Sequence, residues 1–215
     1  MSKSVYSIVL DDDVISLIDI MAARQGTSRS NMINRILAQH TSIPTAETML
    51  SDVYNSMDEI LSGHSSLALQ LLGNSSMINM RSALQYKYNP SVKYAVEIFD
   101  KNDYIGQLKI SMRSQNQQLI SILDSFFYLW ATMEIAVTDI DKNEFSFGGG
   151  KYQRLLRTYR CDNYTDYGNN IAHYIELMDN CMKEYFNYYN VSPAIATKNV
   201  QKLYSENIDK DIAKL

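Results

Sequence analysis

The sequence predicts a mainly helical chain with an α+β carboxy-terminal part: a small strand-helix-helix module first, then an antiparallel β-meander packed with helices. Three observations predict it. Within the first 43 residues, an extended β-branched run precedes two short amphipathic patterns separated by a glycine. Beyond residue 80, three extended runs alternate with polar turns. A long, almost uniformly apolar stretch follows them. With 46% apolar and 20% charged residues among 215, the chain can bury a core and is not a disordered tail. Its 8 Gly, 3 Pro and 2 Cys exclude collagen, rods and disulfide scaffolds.

From Ser4 to Leu10 the residues favour an extended chain, and Asp11, Asp12 and Asp13 form an acidic cluster suited to a helix start. Val14, Leu17, Ile18 and Met21 then recur at helical spacing up to Gly26, which suits a left-handed C-cap. Thr27 or Ser28 can cap a second helix bearing Met32, Ile33, Ile36 and Leu37, which stops near His40 and Pro44. A third amphipathic stretch holds Met49, Val53, Met57, Ile60 and Leu61. These patterns divide the chain into a module over 1–43, a linker helix and loop over 44–79, and an α+β domain over 80–215.

In that last domain, runs 83–88 and 92–99 flank Asn89-Pro90-Ser91, and a third run, 104–112, follows a polar turn; together they read as a three-stranded meander. Leu119 to Val137 reads as a helix under the sheet, with a polar strip at Ser121, Asp124, Ser125 and Tyr128. Asp124 and Glu134 within it would each cost roughly 2.5 to 3.5 kcal/mol at a bilayer centre, so no membrane span is expected. Gly148-Gly149-Gly150 reads as a flexible hinge. Lys151, Arg154, Arg157 and Arg160, spaced by three, would share one helix face. Ile171, Ile175, Met178, Met182 and Tyr185 mark a long helix, and Val200, Leu203, Ile208 and Ile212 a last one. Many of the 16 tyrosines fall after residue 150 and read as half-buried core.

Chemistry of other kinds finds little footing. Gly148-Gly149-Gly150-Lys151 lacks the earlier glycine of a phosphate loop and is followed by Tyr152. His40, His64, His173, Cys161 and Cys181 show no paired metal-ligand spacing, and no nucleophile elbow or HExxH occurs. Glu97, Asp124 and Glu134 read as surface or helix-face carboxylates. Neither an enzyme, a metal nor a cofactor is expected. The apolar run after Lys3 is too short and too acidic at its end for a secretory leader, so the expected setting is the cytoplasm. The formal charge of -4 argues against bulk electrostatic coating of nucleic acid.

With these residues in place, the stretch from Ser4 to His40 resembles the ribbon-helix-helix superfamily of Arc, MetJ and CopG-type repressors. The likeness rests on "SVYSIVL", "DDDVISLIDIMAARQG" and "TSRSNMINRIL" in that order. What it implies is an obligate homodimer that lays a two-stranded β-ribbon in the major groove of double-stranded DNA as a transcriptional repressor. A domain of about 40 residues usually needs such help to bury its apolar side chains. If Tyr6, Ile8 and Leu10 point inward, Val5, Ser7 and Val9 face the bases, with Lys3 just before them. Val5 and Val9 depart from the polar pattern and offer only contact to thymine methyls. At the second helix start, Ser28, Arg29 and Ser30 would hold a phosphate. The basic run from Lys151 to Arg160 is an auxiliary candidate. Residues 80–215 would sense a small effector, bind a protein partner or assemble dimers further. The alternative is a protein-interaction adaptor whose ribbon only dimerises.

Overall fold

The computed structural model describes residues 4–41, 43, 46–63, 67–71, 77–87, 89–101, 103–138, 140–158, 164–209, 212 and 215. The chain divides into two compact units, Met1–Met49 and Leu50–Leu215. In the first, α1 (Asp12–Arg24) opens with Asp12 and Asp13, whose charges meet the positive end of the helix dipole. It ends in a Schellman motif: Thr27 N–H donates to Ala22 O at 3.0 Å and Gly26 N–H to Ala23 O at 3.2 Å. That geometry needs the left-handed φ of 61° at Gly26. α2 (Arg29–His40) is capped by Ser28, whose Oγ accepts from Asn31 N–H. The buried cluster of this unit is Ile18, Ala22 and Met32, with Ile33 packed against it.

The expected strand over 4–10 is absent, and the β-ribbon fold class is thereby overturned for this chain. Those residues carry no secondary structure, and the first regular element is α1. The physical reason is that a strand exists only as a partner in a ladder. No described segment of the chain pairs with residues 4–10.

In the second unit, α3 (Ala46–Leu61) buries Val53, Met57 and Leu61 in the main core. Residues expected as a linker therefore belong to this unit's core and sheet. Among the described residues the sheet has six strands, β1 (Ala68–Leu71), β2 (Met77–Ala83), β3 (Ser91–Lys101), β4 (Tyr104–Met112), β5 (Phe145–Gly148) and β6 (Lys151–Arg157). Their order is β1-β2-β3-β4-β6-β5, antiparallel throughout. The first predicted strand, 83–88, is largely a turn. Leu84 is buried there and Tyr86 stacks edge-on against Phe186 at 5.8 Å, so core-anchored turn residues mimic a strand pattern. The other two predicted strands match β3 and β4.

The expected glycine hinge is instead a tight hairpin turn. Gly148, Gly149 and Gly150 take φ of 141°, 62° and 74°. Gly149 and Gly150 N–H each donate to the Asp124 carboxylate at 2.9 Å. Three residues in conformations open mainly to glycine reverse the chain there, and Asp124 pins them.

Ile78, Met80, Val92, Tyr94, Val96, Leu108, Ile110, Tyr152 and Leu156 line the sheet face that meets the helices. Against it lie α4 (Gln117–Val137), α5 (Tyr164–Tyr189) and α6 (Pro193–Asn207). α4 buries Leu119, Ile122, Leu123, Phe126, Phe127 and Trp130. Among the described residues it is the helix long and apolar enough to cross a membrane, yet it packs as a core helix.

Burial pushes Tyr94, Tyr152 and Tyr174 well above the usual phenol range, reinforced by Asp179 beside the first and Glu134 beside the others. Burial also raises the Cys181 thiol and the Tyr185 phenol to about 12. In the unfolded chain the phenols titrate near 10 and the thiol near 8.5. The native state then keeps protons that the unfolded state releases, so this contribution is complete at neutral pH and declines as pH rises above about 9 to 10. Each group adds a slope of up to about 1.4 kcal/mol per pH unit. Urea midpoints should fall steeply between pH 9 and about 12, with phenolate absorbance of the buried class appearing only with unfolding. Titration of that class in a protein still folded would contradict it.

Candidate nucleic-acid interface

The predicted DNA-facing residues divide sharply. Lys3 lies outside the described residues. Val5 and Val9 are each 99% exposed, against 59% for Ile8 and 37% for Leu10, and Ser7 is exposed. With no strand there, both the expected outward set and the expected inward set are exposed. Tyr6, at 83%, does not reach the core it was expected to join.

At the start of α2 the three expected phosphate ligands have different fates. Ser28 Oγ is occupied as the helix cap. Arg29 is held by α1: its Nε and Nη2 donate to the two oxygens of Asp19 at 2.7 and 2.6 Å. The bond to Arg29 lowers the Asp19 carboxyl, and the same bond raises the guanidinium. Ser30 is exposed, and its hydroxyl makes no hydrogen bond to a described residue. Sequence reasoning missed the clamp because Asp19 and Arg29 are ten positions apart and meet only once α1 and α2 pack. Arg35 is similarly engaged, donating to Gln25 Oε1 at 2.6 Å.

The auxiliary basic face does not exist as a face. Residues 151–157 form a strand, in which a spacing of three places side chains on opposite sides. Lys151 is exposed, Arg154 is buried on the helix side, and Arg157 is bound to Glu144 through Nε at 2.7 Å. Arg160 lies outside the described residues.

Arg154 instead forms part of a buried polar cluster that the sequence did not disclose. Its Nε lies 3.4 Å from Glu134 Oε1, both side chains 1% exposed, and Nη2 donates to Leu215 O at 2.6 Å. Tyr152 OH donates to Glu134 Oε2 at 2.6 Å and Tyr174 OH to Oε1 at 2.9 Å; Trp130 Nε1 donates to Tyr174 OH at 2.8 Å. Glu134 is therefore a core anion, not the helix-face carboxylate expected. A second buried acid, Asp179, accepts from Tyr94 OH and Ser82 Oγ and pairs with Lys183 at 2.6 Å. Both acids are 1% exposed, and Lys183 alone of the residues named here is partly open to solvent. Among the described residues, no three His, Cys, Asp or Glu side chains gather as a metal site.

Compared with protein-family models, curated proteins and solved structures, the chain matches none.

Proposed function

We propose that the chain is a cytoplasmic, homodimeric, sequence-specific DNA-binding regulator, a repressor, whose first unit both dimerises and holds the duplex. One observation carries the dimer. Around a core of Ile18, Ala22 and Met32, the unit leaves Val14, Leu17, Ile20, Met21, Ile36 and Leu37 exposed on its two helices. A unit this small does not fold stably around so few side chains, and a second copy offers the complementary apolar surface. The DNA partner comes from the resemblance of Ser4 to His40 to repressors that bind operators. Contact would fall to Ser7, to the free amides at the α2 start, to Ser30 and to Arg29.

The Asp19–Arg29 pair sets a test. Both side chains are about half exposed, so water and salt screen the pair and it holds the guanidinium only weakly. Asp19→Asn should release the guanidinium to phosphate, tightening duplex binding about 1.5- to 5-fold. It should also steepen the salt dependence by about one contact. Arg29→Ala should weaken binding on all sequences alike, whereas Ser7→Ala should alter sequence preference. Electrophoretic titration at low salt, with mass measurement in solution, reads both claims. A monomer, or no duplex binding at high micromolar protein, would reject the reading. The adaptor alternative, favoured by the exposed Val5 and Val9, then takes its place.

A further inference from the structure

We infer that the sheet face turned away from α4, α5 and α6 in the second unit is a binding site for a small anion carrying more than one phosphoryl group. Strand register builds it. Arg81 pairs across β2 and β3 with Lys93, Lys93 faces Ser111 on β4, and Ser111 faces Lys151 on β6. Neighbouring strands lie about 4.8 Å apart, so this row runs about 14 Å. In the adjacent row Lys109 faces Gln153, which faces Ser146 on β5.

The charges in these rows are unbalanced. Like charges directly opposite each other on paired strands destabilise a sheet, and Arg81 faces Lys93 in that way. Among the described residues, the side chains of Arg81, Lys93 and Lys151 have no hydrogen-bond or ion-pair partner. At the described paired positions of this face Glu97 is the only acid, and it is engaged by Lys109 at 2.9 Å and Gln107 at 2.6 Å. Such an excess stands out in a chain whose formal charge is -4.

A depression of about 440 Å³ opens over β4, β6 and β5, its walls including Lys109, Ser111, Ser146, Lys151 and Gln153 beside the ring of Phe147, with no acid among them; Arg81 and Lys93 continue the row outside it. Its size falls within the range of small-molecule sites. Ammonium groups supply charge, and the hydroxyls and amide supply directional donors. A phosphoryl group brings about 1.5 to 2 negative charges and three strong acceptor oxygens, so two of them carry about three to four charges, close to the net of about three that the four cations keep once Glu97 is subtracted. A monocarboxylate would leave most of the row unanswered. The site is independent of the DNA reading, since it uses no residue of the first unit.

Calorimetric titration of the full-length protein with inorganic pyrophosphate at low ionic strength tests it. Binding below about 1 mM is expected. Lys93→Gln/Lys151→Gln should weaken it tenfold or more, and Lys198→Gln, an exposed lysine on α6, should leave it unchanged. Absence of binding, or equal weakening by Lys198→Gln, would overturn the site. Random-sequence DNA whose binding drops in the double variant, while pyrophosphate fails to bind, would overturn it too and make the face a nucleic-acid track.

Discussion

Glu134→Ala should cost the fold about 3–5 kcal/mol, the range seen when one partner of a buried ion pair is removed. The carboxylate lies under the sheet, 1% exposed, beside a guanidinium equally buried. Burial opposes the Arg154 charge, and Glu134 with the surrounding phenols counters that, holding the guanidinium protonated. Among the described residues, Nη2 is the guanidinium nitrogen that makes a hydrogen bond and Nε and Nη1 have no hydrogen-bond partner, while the Tyr174 ring covers the group at 4.6 Å. Neutralising Glu134 therefore leaves a buried cation whose one remaining hydrogen bond to a described residue goes to Leu215 O. The hydroxyls of Tyr152 and Tyr174 lose their acceptor in the same step.

Two companion variants separate charge from packing. Glu134→Gln keeps an acceptor oxygen but removes the charge, so its loss should be smaller than that of the alanine. Glu134→Leu/Arg154→Met removes both charges at similar volume, and replacing a buried pair in this way is often neutral or stabilising. The double variant should therefore exceed Glu134→Ala in stability. For a chain of this size, 3–5 kcal/mol lowers the melting temperature by about 6–20 °C. Urea titration of the four proteins measures the differences. A Glu134→Ala loss under about 1 kcal/mol would mean that Arg154 reaches water by local rearrangement and that the pair is not enclosed.

Local signals were legible where they decide the structure alone. Gly26 marked the turn between α1 and α2, and Thr27 or Ser28 the cap, of which Ser28 takes the role, because capping is settled within a few residues. The β3 and β4 runs and the apolar α4 were legible for the same reason, since period and length agree. Three glycines before Lys151 read as a hinge because nothing nearby reveals that Asp124, about 25 positions earlier, binds their amides. Once the hairpin was missed, a spacing of three from Lys151 looked helical, and a buried arginine was counted as surface charge. Residues 4–10 show a different limit: alternation marks a chain able to pair, but pairing needs a partner that no described part of this chain provides. Of the candidate sites, the α2 start was legible as a position but not as a state, since Asp19 reaches Arg29 only through helix packing. The basic rows on the sheet were illegible, because Arg81, Lys93, Lys109 and Lys151 come together only through register.

Gly168→Ala should destabilise the second unit by about 2 kcal/mol, although helix propensity alone predicts a gain of about 1 kcal/mol. The sign depends on how closely α3 approaches α5. A Cβ at Gly168 would sit 2.7 Å from Val53 O, 3.0 Å from Val53 Cα and 1.8 Å from Ser56 Oγ. The serine hydroxyl is a movable obstacle, though it is held by bonds to Asp52 O and Val53 O. The carbonyl is not movable without shifting α3, and α3 carries Val53, Met57 and Leu61 into the core. Interiors packed at crystal density transmit such a shift instead of absorbing it. Ser56→Ala/Gly168→Ala should recover only the hydroxyl part of the loss, leaving the backbone contact in force. A melting temperature lowered by about 4–8 °C in the single variant would place α3 firmly on α5. A raised one would mean that propensity prevails, that the two helices stand apart, and that α3 is the free linker its position between the units first suggests.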